Sequence, residues 1–171
     1  MLSVPHALVG AALGSQVGDI PGQAIVAFGV GWASHYVLDS LPHWDRIYRH
    51  TEKLKVHDKL SDWPKYALVQ GFVDVGLVAI VVGSIIFYKH QLGAYYLSPI
   101  FWGAVGGMLP DILDNVPFWS HKLHEYRFFQ RLWEFHHHSH ISEEQEARFP
   151  DWAGLFSQLI MIGLSLRLLL K

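Results

Sequence analysis

Histidine and aspartate side chains recur every four residues in the segment HYVLDSLPH, at 35–43. At this spacing His35, Asp39 and His43 share one face of a helix, although Pro42 bends or ends the helix near the last of them. The chain has no cysteine, and imidazole and carboxylate ligands without thiolates favour Zn, Mn or Fe over Mg or Ca. The segment therefore predicts a metal site on one helix face, for zinc, manganese or iron.

A second group of candidate ligands lies in WEFHHHSHISEE, at 133–144. His136 and His140 are four residues apart, so a helix would present both imidazoles on one face. A solvated histidine-rich tract is the alternative explanation for any single histidine here. We therefore rank His136 and His140 first among the late histidines as metal ligands.

Ionisable residues also interrupt the apolar parts of the chain: His6, Asp74, Asp111 and Asp114. Two of them have ordinary alternative roles, since His6 could cap a helix and Asp74 could pair with Gln70. An unpaired carboxylate is unfavourable in an apolar environment, and no Lys or Arg lies in the first four apolar segments. A metal cation or a protonated histidine is then the candidate counter-charge. Asp114 or Asp74 is the candidate carboxylate for orienting an attacking water.

The elements that position these residues are long apolar segments. Apolar residues make up 51% of the 171 residues, and they are concentrated in five blocks that approach the length of about 20 residues needed to cross a bilayer. The blocks are 4–18, 23–42, 66–88, 94–118 and 152–170. This pattern predicts an all-α fold, a polytopic membrane bundle of four to five helices that forms a single domain over 1–171. A soluble bundle of fully buried helices is the alternative.

Small residues occupy the same helix faces as the candidate ligands. The series are His6, Gly10, Gly14 and Gly18 in the first block, Ala27, Gly31, His35 and Asp39 in the second, and Gly103, Gly107 and Asp111 in the fourth. Small residues allow helices to approach closely in lipid. These faces are therefore predicted to be the contact faces between the helices.

The charge distribution predicts an orientation in the membrane. Two polar segments, at about 45–65 and 120–150, carry most of the Lys and Arg residues, whereas the short connections at 19–22 and 89–93 carry only Lys89. The positive-inside rule places both polar segments in the cytoplasm. The intramembrane ligands then lie in the cytoplasmic half of an integral protein of the cytoplasmic (inner) membrane, with the site facing the cytoplasm.

A short internal match suggests a duplication. VLDSLPHW, at 37–44, aligns without a gap on ILDNVPFW, at 112–119, with four identities. Each copy follows an apolar block and precedes a polar segment. The match predicts two parallel helix-pair repeats, and chance similarity is the competing explanation.

Three short motifs carry a resemblance to known proteins. A near-terminal Pro-His at 5–6, Leu-Pro-Asp at 109–111 and a late Ser-His at 139–140 resemble the small bacterial and archaeal membrane proteins called membrane-bound metal-dependent hydrolases. The segment 35–43 also resembles part of zinc-dependent phospholipase C, an all-helical protein with clustered zinc ions. The resemblance covers most of the chain and implies a metal-dependent hydrolase.

Transferred residue by residue, the resemblance implies that His6, His35, Asp39, Asp111 and the late histidines are metal ligands. His43 is a weaker match, because the phospholipase has a longer spacing between its Asp and the following His. The membrane family usually shows a His-Arg pair before Thr-His-Ser, whereas this chain has HHHSH. The identity of the late ligand is therefore open.

Three functions are consistent with these observations. The first is a metal-dependent hydrolase that acts on a phosphoester of a membrane lipid, a lipid-linked compound or a small molecule. The alternatives are a divalent-metal or proton transporter and a non-catalytic protein with a structural metal site. A net charge of −2 gives no support to nucleic acid as a partner.

Overall fold

The described part of the chain is entirely α-helical where it has regular structure. A computed structural model describes residues 3–43, 65–90, 98–116, 119–141 and 148–171. Seven helices occur within these ranges: α1 Ser3–Gly14, α2 Gln23–Asp39, α3 Lys65–His90, α4 Pro99–Asn115, α5 Ser120–His124, α6 Arg127–Ser139 and α7 Asp151–Leu169. The predicted all-α class is confirmed. The polar segment at about 45–65 falls almost wholly outside the described residues.

Glycine and proline set the ends of the helices around the candidate site. α1 ends at Gly14, and α2 begins after Gly22, whose φ of 78° is in the left-handed region that favours glycine. α2 ends at Asp39, three residues before Pro42. The residue before a proline is disfavoured in the helical conformation, so the helix ends ahead of it. α4 begins at Pro99, where a missing N–H is tolerated. The helices α1 and α2 therefore form an antiparallel pair.

Helices α1, α2 and α4 form a three-helix core. Their backbones meet at a glycine junction, which we define as Gly10, Gly31, Gly103 and Gly107. A Cβ atom on Gly10 or Gly31 would overlap the carbonyl oxygen of Gly103, and one on Gly107 would overlap the carbonyl oxygen of His6. The small-residue faces are thus contact faces, as the spacing predicted, whereas Gly18 has open space around it.

Helices α3 and α7 pack on α1 and complete the apolar core, which includes Leu8 of α1, Val78 and Ile85 of α3, and Leu169 of α7. Two stretches, Gly71–Lys89 and Trp152–Leu169, are long and apolar enough to cross a membrane. Helix α1 is apolar but shorter, and α2 and α4 have 17 residues each. The expectation of four to five crossing helices is therefore not confirmed.

The described part of the second polar segment, 120–150, folds into α5 and α6. Helix α6 is strongly amphipathic, with the sequence RFFQRLWEFHHHS. It contacts α5 and the end of α2. This contact brings the late histidines to the carboxyl-terminal ends of α2 and α4.

Candidate metal centre

Asp39, the last residue of α2, is at the centre of the predicted ligands and is 1% exposed. Its Oδ2 atom lies 3.0 Å from Nε2 of His35, 3.1 Å from Nε2 of His136 and 3.6 Å from Nε2 of His140. Its Oδ1 atom lies 3.2 Å from Nε2 of His6. One carboxylate therefore approaches four imidazoles that come from three helices and the residue after α6.

Short-range and long-range geometry both contribute to this arrangement. His35 and Asp39 are one helical turn apart on α2 and meet as an i, i+4 pair. His6 reaches Asp39 because α1 and α2 both pack against α4 at the glycine junction. His136 is the buried residue of the otherwise exposed end of α6. The helix ends that the sequence singled out thus meet at one place.

His35 and His136 are both buried, and their Nε2 atoms lie 3.0 Å apart. Nδ1 of His35 donates to the carbonyl oxygen of Gly107 at 2.8 Å. Nδ1 of His136 lies 2.6 Å from Oδ2 of Asp114. A carbonyl only accepts, so His35 carries its proton on Nδ1 and its Nε2 lone pair points at the cluster.

Asp111 supplies a second carboxylate. Its Oδ1 atom lies 3.8 Å from Nε2 of His35 and 3.8 Å from Nε2 of His136. The Asp111 side chain is 22% exposed, and that of His140 is 32% exposed. These two residues form the open side of the cluster, whereas His6 and His35 have no exposed surface.

His6 is a buried imidazole without a hydrogen bond. Neither of its ring nitrogens has a hydrogen-bond partner in the described part of the chain, although Nε2 is at ion-pair distance from Asp39. Its ring stacks on that of His35 with a centroid separation of 4.1 Å. Leaving a buried polar group unsatisfied costs about 1–3 kcal/mol. A metal ligand role would satisfy Nε2.

The pKa values of the two late histidines, His136 and His140, shift in opposite directions. Burial lowers the pKa of His136, but its hydrogen bonds with Asp114 and Asp39 outweigh burial and raise the pKa to about 10. Burial lowers the pKa of His140 to about 4. In the absence of another cation, His136 is therefore the imidazolium that balances the carboxylates, and His140 is neutral and able to bind a metal.

Asp114 contacts two histidines. Besides His136, its Oδ1 atom lies 3.3 Å from Nε2 of His124. The sequence identified Asp114 as a candidate for orienting water but not as the partner of His136, and it did not single out His124 as a site residue. No signal in the sequence identified the Gly107 carbonyl, because any backbone carbonyl can accept.

Two predicted site residues lie apart from these contacts. His43 is buried, but its Nδ1 lies 2.8 Å from the carbonyl oxygen of Leu41, and its ring centroid is 5.7 Å from that of His140. Asp74 accepts a hydrogen bond from the backbone N–H of Ser3 at 2.8 Å, at the amino-terminal end of α1. The side chain of Gln70, the alternative partner of Asp74, is outside the described side chains.

This buried His/Asp cluster could hold a metal ion. Within the described ranges, three overlapping groups have ligand atoms close enough to share one: His6, His35 and Asp39; His35, Asp111 and His136; and Asp39, His136 and His140. They include six of the seven predicted ligands, all except His43. Comparison of the chain with protein-family models, curated proteins and solved structures gives no match.

Proposed function

We propose that this chain is a membrane-embedded metal-dependent hydrolase that cleaves a phosphoester of a lipid or lipid-linked substrate at the cytoplasmic face of the inner membrane. The observation that carries the metal site is the pair of Nε2 atoms of His35 and His136, 3.0 Å apart and beside Oδ2 of Asp39. Because acceptors hold the other nitrogen of each ring, both Nε2 atoms are available to one cation. The resemblance of the ligand motifs to metal-dependent hydrolases and zinc-dependent phospholipase C supports the reaction class.

Zinc is the preferred ion, because the donor set consists of imidazole and carboxylate groups. Donor atoms around a tetrahedral zinc ion lie about 3.3 Å apart, given ligand distances of about 2.0–2.1 Å. The contacts of Asp39 with His6, His35 and His136, between 3.0 and 3.2 Å, are close to this spacing. Manganese and iron are the alternative ions.

More donors converge here than one ion needs, and they fall into three overlapping groups. His6 faces Oδ1 of Asp39, whereas His136 and His140 face Oδ2. Asp111 is equidistant from His35 and His136. In this proposal the groups share donors, and a cation held by Nε2 of both His35 and His136 would also have Oδ2 of Asp39 and Oδ1 of Asp111 within reach.

The open side of the cluster supports catalysis over a purely structural role. A bound divalent ion lowers the pKa of a coordinated water and stabilises charge on phosphoryl oxygens. The partial exposure of Asp111 and His140 gives a polar substrate group access to the centre. Asp114 is a positioning residue in this proposal, since it acts through His136. A role for Asp74 in orienting water stays a prediction.

A structural metal site is the second candidate function, because His6 and His35 are fully buried. A closed structural centre would have no position open to solvent. A transport path is less well supported. In the described ranges, each of the three groups that could hold an ion contains two of the residues His35, Asp39 and His136. The groups therefore form one cluster and not a series of sites.

Elemental analysis and turnover of the purified protein test the proposal together. We expect at least one equivalent of zinc, loss of zinc in Asp39→Asn, and retention in Asp19→Asn, which changes an exposed aspartate away from the cluster. Zinc-loaded protein should hydrolyse at least one substrate from a panel of phospholipids, polyprenyl phosphates and generic phosphodiesters. Bound zinc without turnover, with X-ray absorption showing only protein ligands, would support the structural function. No metal in the wild-type protein would refute both.

A further inference from the structure

One flank of α6 is apolar and open to its surroundings. Phe128 and Phe135 are 67% and 58% exposed. They are seven residues apart, so they lie on the same face of the helix, two turns from each other. We call this pair the phenylalanine flank. His136, which follows Phe135, is buried in the cluster, so the helix presents its ligand and its exposed aromatic rings on neighbouring faces.

Arg131 lies between the two rings along the helix. It is three residues after Phe128 and four residues before Phe135, which places its guanidinium beside the phenylalanine flank. Arg131 is exposed, and so are Arg127 and Gln130. Aromatic side chains next to arginine are suited to the boundary between lipid acyl chains and phosphate head groups. A purely solvated helix gives no reason for this combination.

The helix that follows α6 in the sequence indicates where a membrane surface would lie. Helix α7 contains the candidate span Trp152–Leu169, and Trp152 at its start is 69% exposed. Exposed tryptophans at the ends of spans lie at the membrane–water interface. α6 ends at Ser139, twelve residues before the start of α7 at Asp151. A helix so near in sequence can lie along that interface.

Docking of α6 to the rest of the chain is limited. In the described ranges its extended contacts are with the five-residue α5 and with the end of α2. The contact with α2 includes an edge-to-face packing of Phe135 on Tyr36, with ring centroids 4.8 Å apart. Tyr36 is adjacent to His35. Phe135 therefore precedes one member of the His35–His136 pair in the chain and packs on the residue that follows the other.

From these relations we propose that the phenylalanine flank binds the lipid surface of the membrane and thereby holds His136 in the metal centre. The effect of lipid contact on His136 as a metal ligand rests on the proposed metal centre. The lipid contact itself does not depend on that centre. Removal of the membrane would leave α6 attached by its contacts with α5 and α2 and by the His136–Asp114 contact with α4. The metal affinity of the chain would then depend on a lipid surface.

Spin labels at single introduced cysteines test the lipid contact, since the chain has no cysteine. In nanodiscs of phosphatidylcholine and phosphatidylglycerol, nitroxides at Phe128→Cys and Phe135→Cys should report a depth of about 5–10 Å, at the boundary of head groups and acyl chains. Gln130→Cys and Glu134→Cys, on the polar side of α6, should report water. Equal water exposure of the labels at all four positions would refute the proposal. Dipolar broadening of the nitroxide spectrum at position 128 would also refute it, since it would show that a second copy of the chain covers the phenylalanine flank.

Zinc titration in the same nanodiscs tests the coupling. The Phe128→Ser variant should bind zinc about tenfold more weakly than wild type, since apolar area that anchors α6 in lipid is lost while the Phe135–Tyr36 contact is kept. Gln130→Ser is the matched control and should bind like wild type. Unchanged affinity in Phe128→Ser, with labels at the expected depth, would refute the coupling. A wild type that binds no zinc would refute the metal centre, and the label depths would still decide the lipid contact.

Discussion

His35 and His136 are 101 positions apart in the chain, yet their Nε2 atoms lie within 3.0 Å of each other. The backbone of α4 orients the imidazole of His35, and Asp114 orients the imidazole of His136. The pair joins the three-helix core to the amphipathic helix α6. An ion bound between these nitrogens would therefore connect two parts of the fold that otherwise share few contacts.

Replacement of Asp114 by Asn should weaken zinc binding about 10–100-fold, the usual effect of removing the carboxylate that orients a metal-binding histidine. Nδ1 of His136 would face an amide and no longer be held by a full charge. Competition with a chromophoric chelator measures the affinity. His124→Gln is the control, because His124 contacts Asp114 but belongs to none of the groups that could hold an ion. Equal losses in the two variants would argue against a specific effect through His136.

Alanine at Gly31 should destabilise the protein and lower its zinc content. The added Cβ would overlap the carbonyl of Gly103, and overpacking of this kind costs about 1–3 kcal/mol. Gly29→Ala, in the same helix, adds a methyl group in open space and should be neutral or stabilising by about 0.5–1 kcal/mol. Thermal midpoints and elemental analysis of the two variants give the comparison. A Gly31→Ala protein as stable as Gly29→Ala would contradict the described helix contacts.

The stability of the metal-free protein should fall as pH rises from about 6.5 toward 10. The pKa of His136 is raised from 6.5 to about 10 in the folded chain by its contacts with Asp114 and Asp39. This stabilisation is fully present below pH 6.5 and is lost as pH rises toward 10, because the folded state binds the proton more tightly than the unfolded state does. Thermal midpoints in chelator measure it, and His136→Gln should show a flatter profile.

Zinc-loaded protein should show the opposite trend over the lower part of this range, since zinc must displace the proton of His136 and binds more tightly as pH increases. A midpoint in chelator that rises from pH 6.5 to pH 9 would be inconsistent with the pairing of His136 described above.

Asp74→Ala should lower the thermal midpoint but leave the zinc content unchanged. Its carboxylate accepts the N–H of Ser3 at the positive end of α1, and loss of such a cap costs about 1 kcal/mol. Asp74→Asn, which keeps an acceptor oxygen, should recover part of the stability. A large loss of turnover in both variants, at full zinc content, would instead support the role in orienting water.

The ligands were predictable where the helix itself sets their spacing. His35 and Asp39 meet because they are one turn apart on a regular helix, and the small-residue faces identified which sides of α1, α2 and α4 would touch. His43 follows the same spacing but is not in the cluster, because α2 ends at Asp39. A four-residue interval beyond a helix end no longer places two side chains on one face.

Other features depend on tertiary structure and carry no local signal. The partner of Asp114 lies 22 residues away in α6, and nothing in the sequence around either residue specifies the pairing. Hydropathy alone does not give the helix lengths, since the turn after Gly14 limits α1 to 12 residues, and within the described residues two of the five predicted blocks contain a helix long enough to cross a membrane. The two helix pairs of the suggested repeat also differ, because α1 packs closely on α2 whereas α3 makes few contacts with α4.

The glycine junction would also limit the radius of an ion held between His6 and His35. Where backbones touch, no side chain can move aside to enlarge the space between His6, on α1, and His35, on α2. Calcium takes its ligands at about 2.3–2.6 Å, whereas zinc takes nitrogen ligands at about 2.0–2.1 Å. Accommodating the larger ion would require α1 and α2 to move apart and lose their contacts with Gly103. Discrimination against calcium would then come from helix backbones about one turn and more away from the ligands, and not from the ligands alone.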